Sequence, residues 1–145
     1  MAELLANANL KKTDGTVKKG SEALANKKVV ALYFSAHWCP PCRQFTPILK
    51  EFYEEVDDEQ FEIVFVSLDH SEEDLNVYLR ESHGNWYHLP YGSSEIEELK
   101  SKYEIAGIPM LIVIKPDGNV ITKNGRADVS GKAPPQTLSG WLAAA

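Results

Sequence analysis

The chemistry of this sequence is concentrated in two cysteines, Cys39 and Cys42, the only two in a chain of 145 residues. Their spacing, with two residues between them, suits either thiol–disulfide chemistry or a share in a metal site. A structural zinc takes about four ligands, and His37, His70, His83 and His88 are scattered along the chain rather than clustered near the pair. A dithiol that cycles between reduced and disulfide forms is therefore favoured over metal, and over two cysteines that merely fill core space. The context sharpens this. An apolar run ends in the short segment Ser35-Ala36-His37-Trp38, and a helical pattern begins at Cys39. A sulfur at a helix N-terminus meets unpaired backbone N–H groups and the positive end of the macrodipole. Both favour the thiolate, the nucleophilic form. Cys42 lies one turn further in, within reach of a mixed disulfide formed on Cys39. Pro40 and Pro41 stiffen the spacer and have no N–H. Only the amides of Cys42 and Arg43 are then left to solvate the sulfur, so the stabilisation is expected to be moderate.

The elements that must hold this pair follow from apolar patterning. Val29 to Phe34 is a continuous apolar run, the mark of a strand covered on both faces. Phe61 to Val66 is a second and Met110 to Ile114 a third. The turn Pro116-Asp117-Gly118-Asn119 and then Val120-Ile121-Thr122 predict an antiparallel partner for the third. Phe45, Ile48, Leu49, Phe52 and Val56 recur at helical spacing between the first two strands. That makes a right-handed crossover and a parallel pair. Pro47 falls inside this helix, where a kink is expected. Further helices are predicted over 72–81, from about Ser94, and from Pro134-Pro135 through Leu138, Trp141 and Leu142. Residues 1–28 read as a short hairpin turning at Asp14-Gly15, then one helical turn. The expected fold is α/β, a mixed central sheet flanked by helices, as a single domain over 1–145 with 1–28 an extension of a core at 29–145. Trp86 and Trp141 read as core aromatics.

Composition excludes several classes. Apolar residues make 43% and charged ones 25%, which suits a globular chain and neither a disordered tail nor a disulfide-dense scaffold. At this length folding hides roughly two thirds of the unfolded surface, enough for a core. The net charge of −6 argues against direct nucleic-acid binding. No apolar run approaches the roughly 18 residues of a membrane span, and Met1 to Lys12 lack a secretory pattern, so the cytosol is expected, with the nucleus as a second location. No glycine-rich phosphate loop is present, so no nucleotide cofactor is expected. Charge is uneven. Residues 1–28 carry six Lys against three acids. Glu51, Glu54, Glu55, Asp57, Asp58, Glu59 and Glu62 gather near one helix end, read as a solvated surface before a docking patch for a basic partner.

The motif Trp38-Cys39-Pro40-Pro41-Cys42-Arg43, with Pro47 and a downstream Gly107-Ile108-Pro109, resembles a thioredoxin-fold oxidoreductase. The longer stretch from Ser35, together with Phe61 to Ser67, Trp86, Leu89-Pro90 and Gly125-Arg126, is similar to the nucleoredoxin and tryparedoxin branch. Val29 to Phe34 and Arg80 to Trp86 look most like its single-domain, nucleoredoxin-like members. The resemblance implies an attacking Cys39, a resolving Cys42, and Pro109 as a cis-proline facing the pair. It also implies a substrate rim of Trp38, Pro40 and Pro41, and an Ile108 whose backbone pairs with an extended substrate. Where ordinary thioredoxins carry a buried Asp, this chain has Tyr33, which leaves the proton acceptor for Cys42 unassigned. Met110 stands where Thr usually follows the cis-proline. Arg126 reads either as a surface residue at the end of an edge strand or as a fork for a substrate carboxylate. His37 reads as a tuning cation or a plain loop residue.

The function expected on this reading is reduction of protein disulfides, with no cofactor beyond the Cys39–Cys42 pair. The partners are disulfide-containing clients and an upstream thiol reductant. The rival reading is a redox-dependent binding module for a transcription factor or signalling protein.

Overall fold

A computed structural model describes residues 3–145; Met1 and Ala2, with which the expected single-domain range begins, lie outside them. The central strands are β3 (Val29–Ser35) and β4 (Phe61–Ser67), buried along their whole length as their uninterrupted apolar runs require. They pair in parallel across the crossover helix α3 (Pro40–Val56). On the other side of β3 lies β6 (Met110–Ile114), antiparallel, and then its hairpin partner β7 (Val120–Thr122). β1 (Asn9–Lys11) and β2 (Val17–Lys19) form the N-terminal hairpin. β5 (Tyr87–His88) joins that hairpin to β4 and completes a seven-stranded sheet of order β2-β1-β5-β4-β3-β6-β7.

Strand alternation divides the core in two. Val30, Leu32 and Phe34 of β3 face one layer, closed by α1 (Glu3–Ala6), α2 (Gly20–Ala23) and α5 (Ser94–Lys102) through Leu5, Ala23, Ile96 and Leu99. Val29, Ala31 and Tyr33 face the other, where α3, α4 (Glu72–Ser82), α6 (Gly125–Gly131) and α7 (Pro134–Ala144) contribute Phe45, Leu49, Tyr78, Val129 and Trp141. Trp86 and Trp141 are both core residues. Among the described residues no helix is long and apolar enough to cross a membrane.

Three elements differ from the sequence expectation. α1 is four residues long and β5 two, too short to carry a period. α6 occupies the segment read as the end of an edge strand, so Arg126 sits in the first turn of a helix. Its start, Gly125, lies so close to β6 that a Cβ there would come within 2.8 Å of the Leu111 carbonyl oxygen. The acidic group also divides. Glu62 is buried, accepting from Tyr53 Oη and from the Ile63 amide at 2.9 Å each, and burial pushes its carboxyl above the usual range. The loop acids instead border a cavity that Lys12 and Lys27 of the same chain also line.

Candidate functional site

The two cysteines stand at the carboxyl end of β3, where the sheet delivers the chain into α3. Cys39 is the N-cap of α3, in extended backbone, and its sulfur accepts from the Cys42 amide at 3.3 Å. With Pro40 and Pro41 at the first helical positions, this is the first-turn amide that reaches the sulfur. The Arg43 amide, expected to help, is spent on the Cys39 carbonyl at 3.1 Å. Pro47 stands within α3, which runs through it as one element. Both cysteines are free thiols, Cys39 nearly buried and Cys42 wholly so.

Burial pushes the Cys42 thiol up to about 11, and its hydrogen bond with Cys39 adds to the shift. The Ser35 hydroxyl and the Ala36 backbone work the other way. A wholly buried sulfur has little solvent to carry a thiolate's charge, so Cys42 is held as the thiol.

The segment before Cys39 is tied down on its other flank. The His37 amide donates to Asp69 Oδ1 at 2.7 Å, and Ser67 Oγ donates to Asp69 Oδ2 at 2.7 Å. The His37 ring meets Glu81 at 3.0 Å, so this histidine is paired with α4 rather than turned to the sulfurs. Trp38 is 49% exposed, its Nε1 donating to the Leu68 carbonyl at 3.2 Å while its ring stacks on His70.

Facing Cys39 is the loop before β6. Ile108–Pro109 is cis, and the Ile108 carbonyl lies 3.9 Å from the Cys39 sulfur. A cleft opens on each side of this loop. One of about 220 Å³ is lined by Trp38, Leu68, Ile105 and Ile108. The other, of about 380 Å³, is lined by Pro109, Met110, Lys123 and Arg126. Arg126 donates from Nη1 to the Pro109 carbonyl at 3.2 Å, and its guanidinium lies over the Phe45 ring. Of the expected rim residues, Trp38, Pro40 and Pro41 adjoin the cysteines in the chain, Ile108 brings its carbonyl to the Cys39 sulfur, and Arg126 reaches Pro109 from α6. Among the described residues, no three His, Cys, Asp or Glu side chains converge as metal ligands.

Beneath Cys42 the site has a feature that the sequence reading missed. Tyr33 Oη and Thr46 Oγ1 are 2.7 Å apart, Thr46 Oγ1 and Tyr78 Oη 2.5 Å, and Tyr78 Oη and Ser35 Oγ 2.6 Å. Thr46 also donates to the Cys42 carbonyl at 2.9 Å. This buried chain of four hydroxyls lies under Cys42, with Tyr33 and Thr46 both reaching its carbonyl. Burial raises the phenols of Tyr33 and Tyr78, so neither ionises near neutral pH. The signal was present in Tyr33 and in Thr46, four residues after Cys42. Tyr78 joins them only through the packing of α4.

Residues 26–120 match the family model described as thioredoxin-like. The chain is 47% identical over 103 residues to nucleoredoxin from Mus musculus, an overlap covering 69% of this chain and 23% of that protein. It spans roughly a fifth to a quarter of the length of the nucleoredoxins it matches. Among solved structures it resembles thioredoxin from Wuchereria bancrofti, at 88% identity and a TM-score of 0.87 over 99% of this chain and 100% of that one. It also resembles thioredoxin related protein 16 from Carcinoscorpius rotundicauda, described by its role in regulating NF-kB activity. There the identity is 45% and the TM-score 0.79, over 97% of this chain and 99% of that one.

Proposed function

The chain belongs to the thioredoxin-like family, and from that premise we propose that it is a protein-disulfide reductase working through Cys39 and Cys42. The observation that carries this reading is the asymmetry of the pair. Cys39 has a helix-start amide at its sulfur and a groove beside it, while Cys42 is wholly buried and held as the thiol.

The reaction follows from that asymmetry. An extended segment of the client lies along the cis-proline loop and borrows main-chain hydrogen bonds from Ile108, with Trp38 and the proline spacer forming an apolar rim. The Cys39 thiolate attacks one sulfur of the client disulfide. An S–S bond forms to Cys39 and the other client sulfur leaves as a thiolate, which takes up a proton. Once Cys39 is in the mixed disulfide it no longer bears charge beside Cys42, and its two contributions to the high Cys42 value disappear. Cys42 can then lose its proton and attack Cys39, releasing the second client thiol and leaving a Cys39–Cys42 disulfide. Two electrons have passed to the client. An upstream thiol reductant restores the pair, and the natural setting is a reducing compartment such as the cytosol. No cofactor takes part, and 1–145 acts as one domain.

Insulin reduction driven by dithiothreitol tests this directly. Wild type accelerates precipitation of the insulin B chain and Cys39→Ser does not; a wild type without acceleration overturns the reading as a general reductase.

A second reading has one observation in its favour: the relative named for regulating NF-kB activity matches this chain over almost its full length. In it the domain docks on a transcription factor or signalling protein and turnover is incidental. Cys42→Ser trapping many clients covalently supports the reductase, whereas full cellular activity in a double cysteine variant supports the binding module.

A further inference from the structure

On the opposite side of α4 from the cysteines, a cavity of about 270 Å³ opens between that helix and the N-terminal hairpin. Its lining includes Lys11 and Lys12 from the hairpin, Thr13 and Gly15 from its turn, Arg80 from α4 and His88 from β5. No carboxylate lines it. Neither Lys11 nor Arg80 forms an ion pair among the described residues. The Lys12 ammonium is turned elsewhere, over the Tyr87 ring at 4.8 Å from its centroid and into the neighbouring cavity that the loop acids border. In a chain of net charge −6, the two unpaired cations Lys11 and Arg80 around one concavity free of carboxylates make a local positive patch.

The floor of the cavity supplies an independent observation. His88 lines the cavity at 7% exposure; its Nδ1 is sealed from solvent, and Nε2 is the ring nitrogen left for a ligand. The ring is held under the cations by the sheet itself, since His88 pairs with Phe65 of β4 and with Lys11 of β1. Burial and the charge of Lys11 hold its imidazole down to about 4, so at neutral pH the ring is an uncharged hydrogen-bonding group rather than a further cation.

We propose that this cavity binds the phosphoryl group of a small molecule. A phosphoryl dianion offers three terminal oxygens and up to two charges, which suits a guanidinium fork, the Lys11 ammonium, the Thr13 hydroxyl and an imidazole in one concavity. A carboxylate, with one charge and two oxygens, would leave part of that set unused. Arg80 is exposed, so the ligand enters from solvent, and the site takes no part in the disulfide chemistry.

The test is a titration of uniformly labelled wild-type protein with inorganic pyrophosphate, followed by amide and imidazole resonances at constant ionic strength. The expected result is a saturable shift confined to 11–15, Arg80 and His88, weakened at least tenfold in both Lys11→Gln and Arg80→Gln, with insulin reduction unchanged. Both positions are exposed and without ion-pair partners, and an unchanged amide spectrum elsewhere confirms that each variant folds. Glycerol 3-phosphate and inorganic phosphate form the second arm. Tighter binding of the ester assigns the site to phosphorylated metabolites, and equal binding assigns it to free phosphate. Citrate competing as well as pyrophosphate, shifts spread over all surface lysines, or no saturable shift would each overturn the proposal.

Discussion

Asp69 and His37 are joined by a hydrogen bond of 2.7 Å from the His37 amide to the Asp69 carboxylate, two residues before Cys39. Asp69 lies just beyond the end of β4, so the strand that neighbours β3 fixes the approach to Cys39. Asp69→Ala strands a partly buried donor, at a cost of about 1 kcal/mol, and frees the loop. The expected outcome is a several-fold loss of kcat/KM in insulin reduction, recovered in large part by Asp69→Asn, which keeps an acceptor. A purely structural role would lower Tm in both variants without that recovery.

Two buried imidazoles set an acid limit on stability. Burial holds His83 down to about 3 and His88 down to about 4, below the ordinary 6.5. The unfolded chain therefore takes up protons first, and stability falls as pH drops from about 6.5 toward those values. By pH 5 the loss is about 2 kcal/mol per imidazole. Denaturant unfolding between pH 7 and 5 should show it, and His83→Phe should remove about half of the slope.

Tyr78 joins two otherwise separate hydroxyls, accepting or donating at both Ser35 and Thr46. Tyr78→Phe leaves the ring in place and costs about 1–3 kcal/mol by unpartnering a buried group. Because Ser35 eases ionisation of Cys42, the same variant should alter the rate at which mixed disulfides resolve. Single-turnover release from a Cys39-linked client reads that step.

Gly125→Ala forces a Cβ against the Leu111 carbonyl and side chain, at 2.8 and 2.9 Å. Overpacking of this kind costs about 1–3 kcal/mol. Because the displaced element is α6, Arg126 should lose its bond to the Pro109 carbonyl, and thermal unfolding with a crystal structure of the variant would show both effects.

Arg126 has donors left after bonding Pro109 and faces the larger cleft beside the cis-proline. Arg126→Ala should raise KM for glutathione disulfide about three- to tenfold with kcat little changed, on the strength of a charge-assisted contact. An equal fall in kcat for every client would instead mark Arg126 as a support for the loop.

The cysteine pair, the proline loop and the central strands were legible because each leaves a local mark: a spacing, a Gly-Ile-Pro run, an unbroken apolar stretch. The helix at 125–131 was not, since of GRADVSG only Val129 is apolar and buried and glycines stand at both ends. It forms because β6 offers Leu111 for it to pack on. Glu62 looked like one acid among seven; only the pairing of β4 reveals that it faces Tyr53 in the interior. The hydroxyl chain joins residues 33, 35, 46 and 78, which three-dimensional packing alone brings together.

The hairpin of β1 and β2 has a consequence for self-association. An open sheet edge is a template on which another copy can add a strand, and short strands bearing lysine resist that. β2 is three residues long, fully exposed, and carries Lys18 and Lys19. By pairing with β5 through β1, the hairpin moves the end of the sheet away from the buried strands and terminates it in like charge, a barrier to polymerisation that does not depend on the redox state of the cysteines.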